Sequence, residues 1–168
     1  MSANQSLLQE FDEEMARTRS LLERVPEDRM GWKPHPKSSS LWRLASHLTD
    51  IPRLGARILG QESFDVALPR DASSAPSNPA TRAELLEQFD TRVGALRDQL
   101  AGADPAALAT PWSLKQGDRI IFSRPRSAAF RTMLLSHMIH HRGQLTVYLR
   151  LNDVPLPPLY GPTADENI

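Results

Sequence analysis

The chain has 168 residues, a length that suits one domain with a substantial core. Its 20 basic and 20 acidic side chains cancel, which excludes a whole-domain electrostatic grip on nucleic acid or on an acidic membrane surface. Cysteine is absent, so disulfides, thiolate metal sites and a cysteine nucleophile are excluded, and any metal must be held by nitrogen or oxygen.

The N-terminal stretch to Met15 lacks a basic region followed by an apolar one, and no apolar run is long enough to span a bilayer. A cytoplasmic single domain, residues 1–168, is the default expectation. The 14 prolines gather at residues 26–36, 69–79, 105–125 and 155–162, with Pro52 alone. They punctuate four stretches of helical periodicity.

The first helix is expected from about Ser6 to Glu23, with Leu8, Phe11, Met15 and Leu22 as its apolar stripe. The second begins after the serines at 38–40, which are N-cap residues by type, and Gly60 is its natural stop. Leu44, Leu48, Ile51, Gly55 and Ile58 form its stripe, and Pro52 is expected to bend it. The third opens with the capping-box pattern Thr81-Arg-Ala-Glu84 and closes at Gly102. The fourth runs from near Ser127 to about Leu151. Two connections are long, residues 61–80 and 103–126. The second carries apolar runs at 112–114 and 119–122 around Lys115-Gln-Gly-Asp118, a short-hairpin pattern. The expected fold is all-α, a four-helix bundle with long crossover connections and a short hairpin between the third and fourth helices.

In the fourth helix Phe130, Leu134, His137, His141, Leu145 and Tyr148 recur on one side, while Leu135 and Ile139 lie roughly opposite. An apolar second side predicts a homodimer. His137 and His141 are four residues apart, about 40° around the axis, so both imidazoles can meet one ion. A third ligand must come from elsewhere. His47, flanked by Leu44, Leu48 and Ile51 on the second helix, is the leading candidate. Three histidines on apolar stripes need partners, and metal coordination supplies them. The competing reading is a set of hydrogen-bonded core histidines. His140 sits at the edge of the stripe and His35 between two prolines; either becomes the third ligand if the helix phases differ.

Several stretches together resemble the DinB-like superfamily. They are Trp32-Lys-Pro-His-Pro-Lys-Ser-Ser-Ser-Leu41 leading into Leu44-Ala-Ser-His47-Leu48, then His137-Met-Ile-His-His141-Arg-Gly-Gln144, then Tyr160-Gly-Pro-Thr-Ala-Asp-Glu166. The resemblance covers nearly the whole chain in order. It implies an up-down-down-up four-helix bundle, often dimeric, and a three-histidine metal site at His47, His137 and His141. It implies no single chemistry: some members are transferases or isomerases using a low-molecular-weight thiol, and many have no known activity.

Three histidines leave an open coordination position, the pattern of a catalytic site. A cation there favours the deprotonated form of a bound thiol or water. The leading expectation is a metal-dependent transferase of a small thiol, with zinc or nickel foremost and iron or copper next. The alternatives are a metal-dependent hydrolase and a non-enzymatic, stress-linked metal-binding domain. A hydrolase wants a base, for which Asp50 is near in sequence and Asp165 or Glu166 would have to fold back. Gln144 is placed to hydrogen-bond a ligand imidazole, with His140 and Asp50 also assigned to the surroundings of the site. Arg142, turned away from the histidines, is expected to pair across a helix or dimer contact. The three tryptophans are dispersed without basic runs, so they form no stacking platform for nucleic acid.

Overall fold

The computed structural model describes residues 3–69 and 75–167. The centre of the first long connection, residues 70–74, lies outside the described residues. Three helices of 20 residues each, α1 (Ala3–Leu22), α2 (Leu41–Gly60) and α3 (Arg82–Ala101), pack with a composite fourth. That fourth begins as α5 (Arg126–Phe130), passes through a π-helical segment (Arg131–Ser136) and continues as α6 (His137–Arg150). A short helix, α4 (Pro105–Ala109), comes directly after α3.

Local chemistry sets the helix ends. The Ser40 hydroxyl accepts the Arg43 N–H at 3.2 Å and caps α2, which ends at Gly60. Thr81 Oγ1 accepts the Glu84 N–H at 3.1 Å, and the Glu84 carboxylate reaches back to the Ala80 N–H, one residue before the partner of an ideal capping box. On α1 the buried stripe is Leu7, Phe11, Met15, Leu21 and Leu22, so Leu7 takes the core place expected for Leu8, which is half-buried.

Side-chain bonds give the helix directions. Asp12 with Arg97 and Asp90 with Arg19 make α1 and α3 antiparallel. Arg92 donates to the Thr49 carbonyl and Gln99 to that of Ala56, so α2 and α3 run parallel. Gly55 on α2 faces α3 and the π segment: a Cβ there would sit 2.3 Å from a methyl of Leu134 and 2.7 Å from one of Leu96. A side chain at this position would require both leucines to move.

The all-α expectation is corrected by a three-stranded sheet of order β1-β2-β3. Strands β2 (Pro111–Gln116) and β3 (Arg119–Pro125) form the anticipated hairpin, turning at Gly117 with φ 59°. Strand β1 (Ser63–Asp65), unanticipated, adds in parallel beside β2. Asp65 accepts the Gly117 N–H at 3.0 Å and locks β1 to the hairpin turn. The molecule is thus mostly helical with a small sheet. Among the described residues no helix is long and apolar enough to cross a membrane.

Candidate metal centre

Helix α2 is fixed at its start by more than its cap. The Leu41 N–H bonds Trp32 O at 2.8 Å, the Trp42 N–H bonds Met30 O at 3.2 Å, and the Trp42 indole donates to Pro79 O at 2.7 Å. His47 lies in the second turn of this anchored end. On the other side, the π segment stops where His137 begins. A π turn is wider than an α turn and shifts the phase of the helix beyond it. Leu134 and Leu135 are both buried within it, so Leu135, expected roughly opposite the histidines, packs in the core.

His47, His137 and His141 converge. Each offers a ring nitrogen, and these atoms lie within 4.8 Å of one another. His47 Nε2 and His137 Nε2 are 3.3 Å apart. Two nitrogens bound tetrahedrally at about 2.0–2.1 Å from one ion are separated by roughly 3.4 Å, close to that distance. A proton shared between His47 and His137 would satisfy two nitrogens and leave His141 aside, whereas one ion satisfies all three. His141 Nδ1 sits 2.8 Å from Gln144 Oε1. With Nδ1–H donating to that oxygen, Nε2 carries the lone pair available for an ion.

Desolvation, with the nearby rings, holds all three imidazoles below their ordinary pKa. His47 is lowered to about 4, by burial first and then by His141 and His137. For His137 a hydrogen bond to the Met133 carbonyl opposes the shift, and for His141 the Gln144 bond does so. The rings are therefore neutral at neutral pH, the form that binds metal. Nitrogen-only donors that are half-buried, neutral and convergent from two helices fit a divalent transition ion.

The other sequence candidates fall in different places. His140 is exposed, its ring edge against His141 with centroids 4.9 Å apart. His35 is an exposed turn residue whose Nδ1 accepts the Lys37 N–H, remote in role from the centre. Asp50 borders a cleft beside His47, but its carboxylate accepts from the Ser77 N–H at 3.0 Å and hydroxyl at 2.5 Å and pairs with Arg92 at 3.2 Å. It pins the chain after residue 74 to α2. Asp165 pairs with Arg150, and Glu166 with Arg24 at 2.7 Å, so neither tail acid reaches the histidines.

Two clefts flank the cluster. One, about 230 Å³, is bordered by His47 and His137 with Arg43, Arg53, Arg57 and Phe64. The other, about 420 Å³, is bordered by His47 and His141 with Arg43, Gln144 and Tyr148. Arg43 was not foreseen as a site residue. Its signal was its place four residues before His47, on the same helical face.

With this geometry in view, the DinB superfamily profile matches residues 10–145 of the chain. The chain belongs to the DinB superfamily. A DinB-like protein of Bacillus cereus ATCC 10987 has the same fold at a TM-score of 0.72, with 20% identity over 93% of this chain and 97% of that one. The DinB-like protein YjoA of Bacillus subtilis comes next at 0.69, also 20% identical, covering 92% and 96%. In sequence the chain is 32% identical over 71 residues to the uncharacterised protein YrdA of Bacillus subtilis strain 168; the match spans 40% of this chain and 42% of YrdA.

The familiar His-Arg-Gly-Gln run and Tyr-Gly-Pro ending of this DinB chain have a physical account. Arg142, 1% exposed, turns from the histidines into the core. It donates to Glu14 O at 2.9 Å and Thr18 Oγ1 at 3.1 Å, and pairs with the Glu14 carboxylate and the Tyr160 hydroxyl. Tyr160 donates to Glu14 at 2.7 Å. The run thus supplies a ring to the centre, a tie from α6 to α1 and the tail, and Gln144 to orient His141.

Proposed function

We propose that this chain is a metal-dependent transferase acting on a small-molecule thiol, with one divalent ion, zinc or nickel foremost, held by His47, His137 and His141. The observation that carries the reading is the convergence of three neutral imidazoles between two open clefts. Two clefts suit a reaction of two substrates, a thiol and an electrophile. A divalent ion held there supplies Lewis acidity, favouring the deprotonated form of a thiol at its open position. Gln144 orients His141, the Met133 carbonyl orients His137, and His140 closes one edge of the cluster.

The hydrolase reading has less support. It needs a base near the ion, and Asp50, Asp165 and Glu166 are engaged elsewhere. Clefts reaching the cluster also weigh against an ion enclosed for structure alone. The reading puts the chain in the cytoplasm, where small thiols stay reduced.

The helices are read as an up-down-down-up bundle. The antiparallel α1/α3 pair and the parallel α2/α3 pair support it, as does the order of the α1–α6 bonds, Glu10 with Arg131 and Glu14 with Arg142. A homodimer belongs to the same reading. Ile139 and Val147 on α6 and Leu151 at its C-terminal cap are 38%, 56% and 57% exposed, at spacings of eight and four residues. Sedimentation at micromolar concentration is expected to show a dimer; a monomer removes that part of the proposal.

The central test is elemental analysis of untagged protein, followed by a panel of thiols and electrophiles. Wild type is expected to hold stoichiometric divalent metal, lost in His47→Ala and His141→Ala, and to accelerate at least one pair. Metal-loaded protein that binds no thiol and accelerates no pair defeats the reading.

A further inference from the structure

Arg43 and His47 are the two residues that border both clefts. They lie one helical turn apart on α2, with about 5–6 Å between their Cβ atoms. The backbone of Arg43 is held by the Ser40 cap. Its side chain is exposed, and among the described residues it pairs with no carboxylate. Arg92 and Arg53 share Asp50, and Arg17 and Arg142 share Glu14.

Among the described residues, the smaller cleft is lined by Arg43, by Arg53 and by one acid, Asp50. That acid is already bonded to Ser77 and Arg92. Arg43 therefore brings a positive charge to the cleft before any ion is added. Ile51, Leu54 and Phe64 add apolar surface to its lining. At about 230 Å³ it is smaller than the usual 300–1,000 Å³ of drug-sized sites, so it suits a small ligand.

We propose that Arg43 binds the carboxylate of a small acidic substrate whose metal-binding group faces His47, His137 and His141. This rests on the metal reading above and adds a substrate class to it. A neutral ligand satisfies one of two positive poles a helical turn apart. A short acid carrying a thiol satisfies both, and the planar guanidinium gives its carboxylate two parallel bonds.

The test uses the cobalt-substituted full chain and its visible spectrum. One ligand pair is 3-mercaptopropionate and its methyl ester; the other is succinic monohydroxamate and its methyl ester. Wild type is expected to bind each acid about tenfold more tightly than its ester. Arg43→Gln is expected to abolish that preference while leaving cobalt content, ester affinity and thermal midpoint unchanged, and Arg43→Lys to restore part of it. A preference that survives Arg43→Gln, or is absent from wild type, overturns the proposal. If only the hydroxamate pair shows an Arg43-dependent preference and neither thiol alters the spectrum, the carboxylate anchor stands and the thiol chemistry falls. If cobalt gives no spectrum, both fall.

Discussion

Residues 141 and 142 are neighbours on α6, about 100° apart around its axis, and they meet opposite surroundings. Arg142 buries a full charge, and the chain supplies its partners: Glu14, Thr18 and the Tyr160 hydroxyl. His141 is half-buried with His47 and His137, and the chain bonds its Nδ1 but brings the other rings to face it. Burying polar groups costs free energy unless they are bonded. Where the protein completes every bond, the group holds the fold together. Where ring nitrogens from two helices converge on one point instead, they form a donor set that could hold an ion.

The largest effect separating the two regions is expected on the closed side. Arg142→Met leaves the Glu14 carboxylate buried beside Tyr160 without its main counter-charge. Breaking a buried pair from one side costs about 3–5 kcal/mol, and Arg17, 3.0 Å from the same carboxylate, should hold the loss near the lower end. Urea denaturation measures it, and adding Glu14→Gln should recover much of the loss. A single variant within about 0.5 kcal/mol of wild type would mean that this network is not what fastens the tail and α6 to α1.

On the open side the expectation reverses. His141→Leu or His47→Leu removes a desolvated imidazole, so the metal-free variants should be as stable as metal-free wild type or more so. What they lose is the gain on adding metal. With zinc at a hundred times its dissociation constant, wild type should gain about 2.7 kcal/mol and the variants almost none. Equal zinc stabilisation of wild type and both variants would place the ion elsewhere.

Gln144 tests how far orientation matters. Gln144→Ala keeps all three rings but frees His141 to rotate and change tautomer. A lost outer hydrogen bond of this kind lowers metal affinity about 10–100-fold. Competition against a zinc chelator reads the change, and Gln144→Glu should retain more affinity than Gln144→Ala.

Legibility in the sequence tracked the range of the interactions. The end of α2 at Gly60 and the cap at Thr81 were readable because each rests on residues a few positions away. So were the histidines, since the i, i+4 spacing of His137 and His141 is local and His47 lies on an apolar face. Strand β1 was not readable: Ser63-Phe-Asp is an ordinary polar stretch. Its strand character comes from setting Ser63 beside Ser113 and Phe64 beside Leu114, far along the chain. The π segment was missed for a different reason. Leu134 and Leu135 are both apolar, and continuous α periodicity puts them on different faces, whereas the wide turn buries both. Arg142 could be seen to leave the histidine face, but its partners lie on α1 and in the tail, which no local pattern joins.

Acidity gives the finest comparison between the regions. Free histidine titrates near 6.5, whereas burial holds the three site imidazoles lower, His47 at about 4. Between those values the unfolded chain binds more protons than the folded one. The site's contribution to the stability of metal-free protein is therefore fully present above about pH 6.5 and declines as the pH falls toward 4. Carboxylates elsewhere titrate in both wild type and variant, so the informative quantity is a difference. The urea midpoint of metal-free His47→Leu should rise progressively relative to that of metal-free wild type as the pH is lowered from 7 to about 4.5. Parallel pH profiles would show that His47 is not desolvated as its position requires, and the contrast between the two faces of α6 would lose its electrostatic basis.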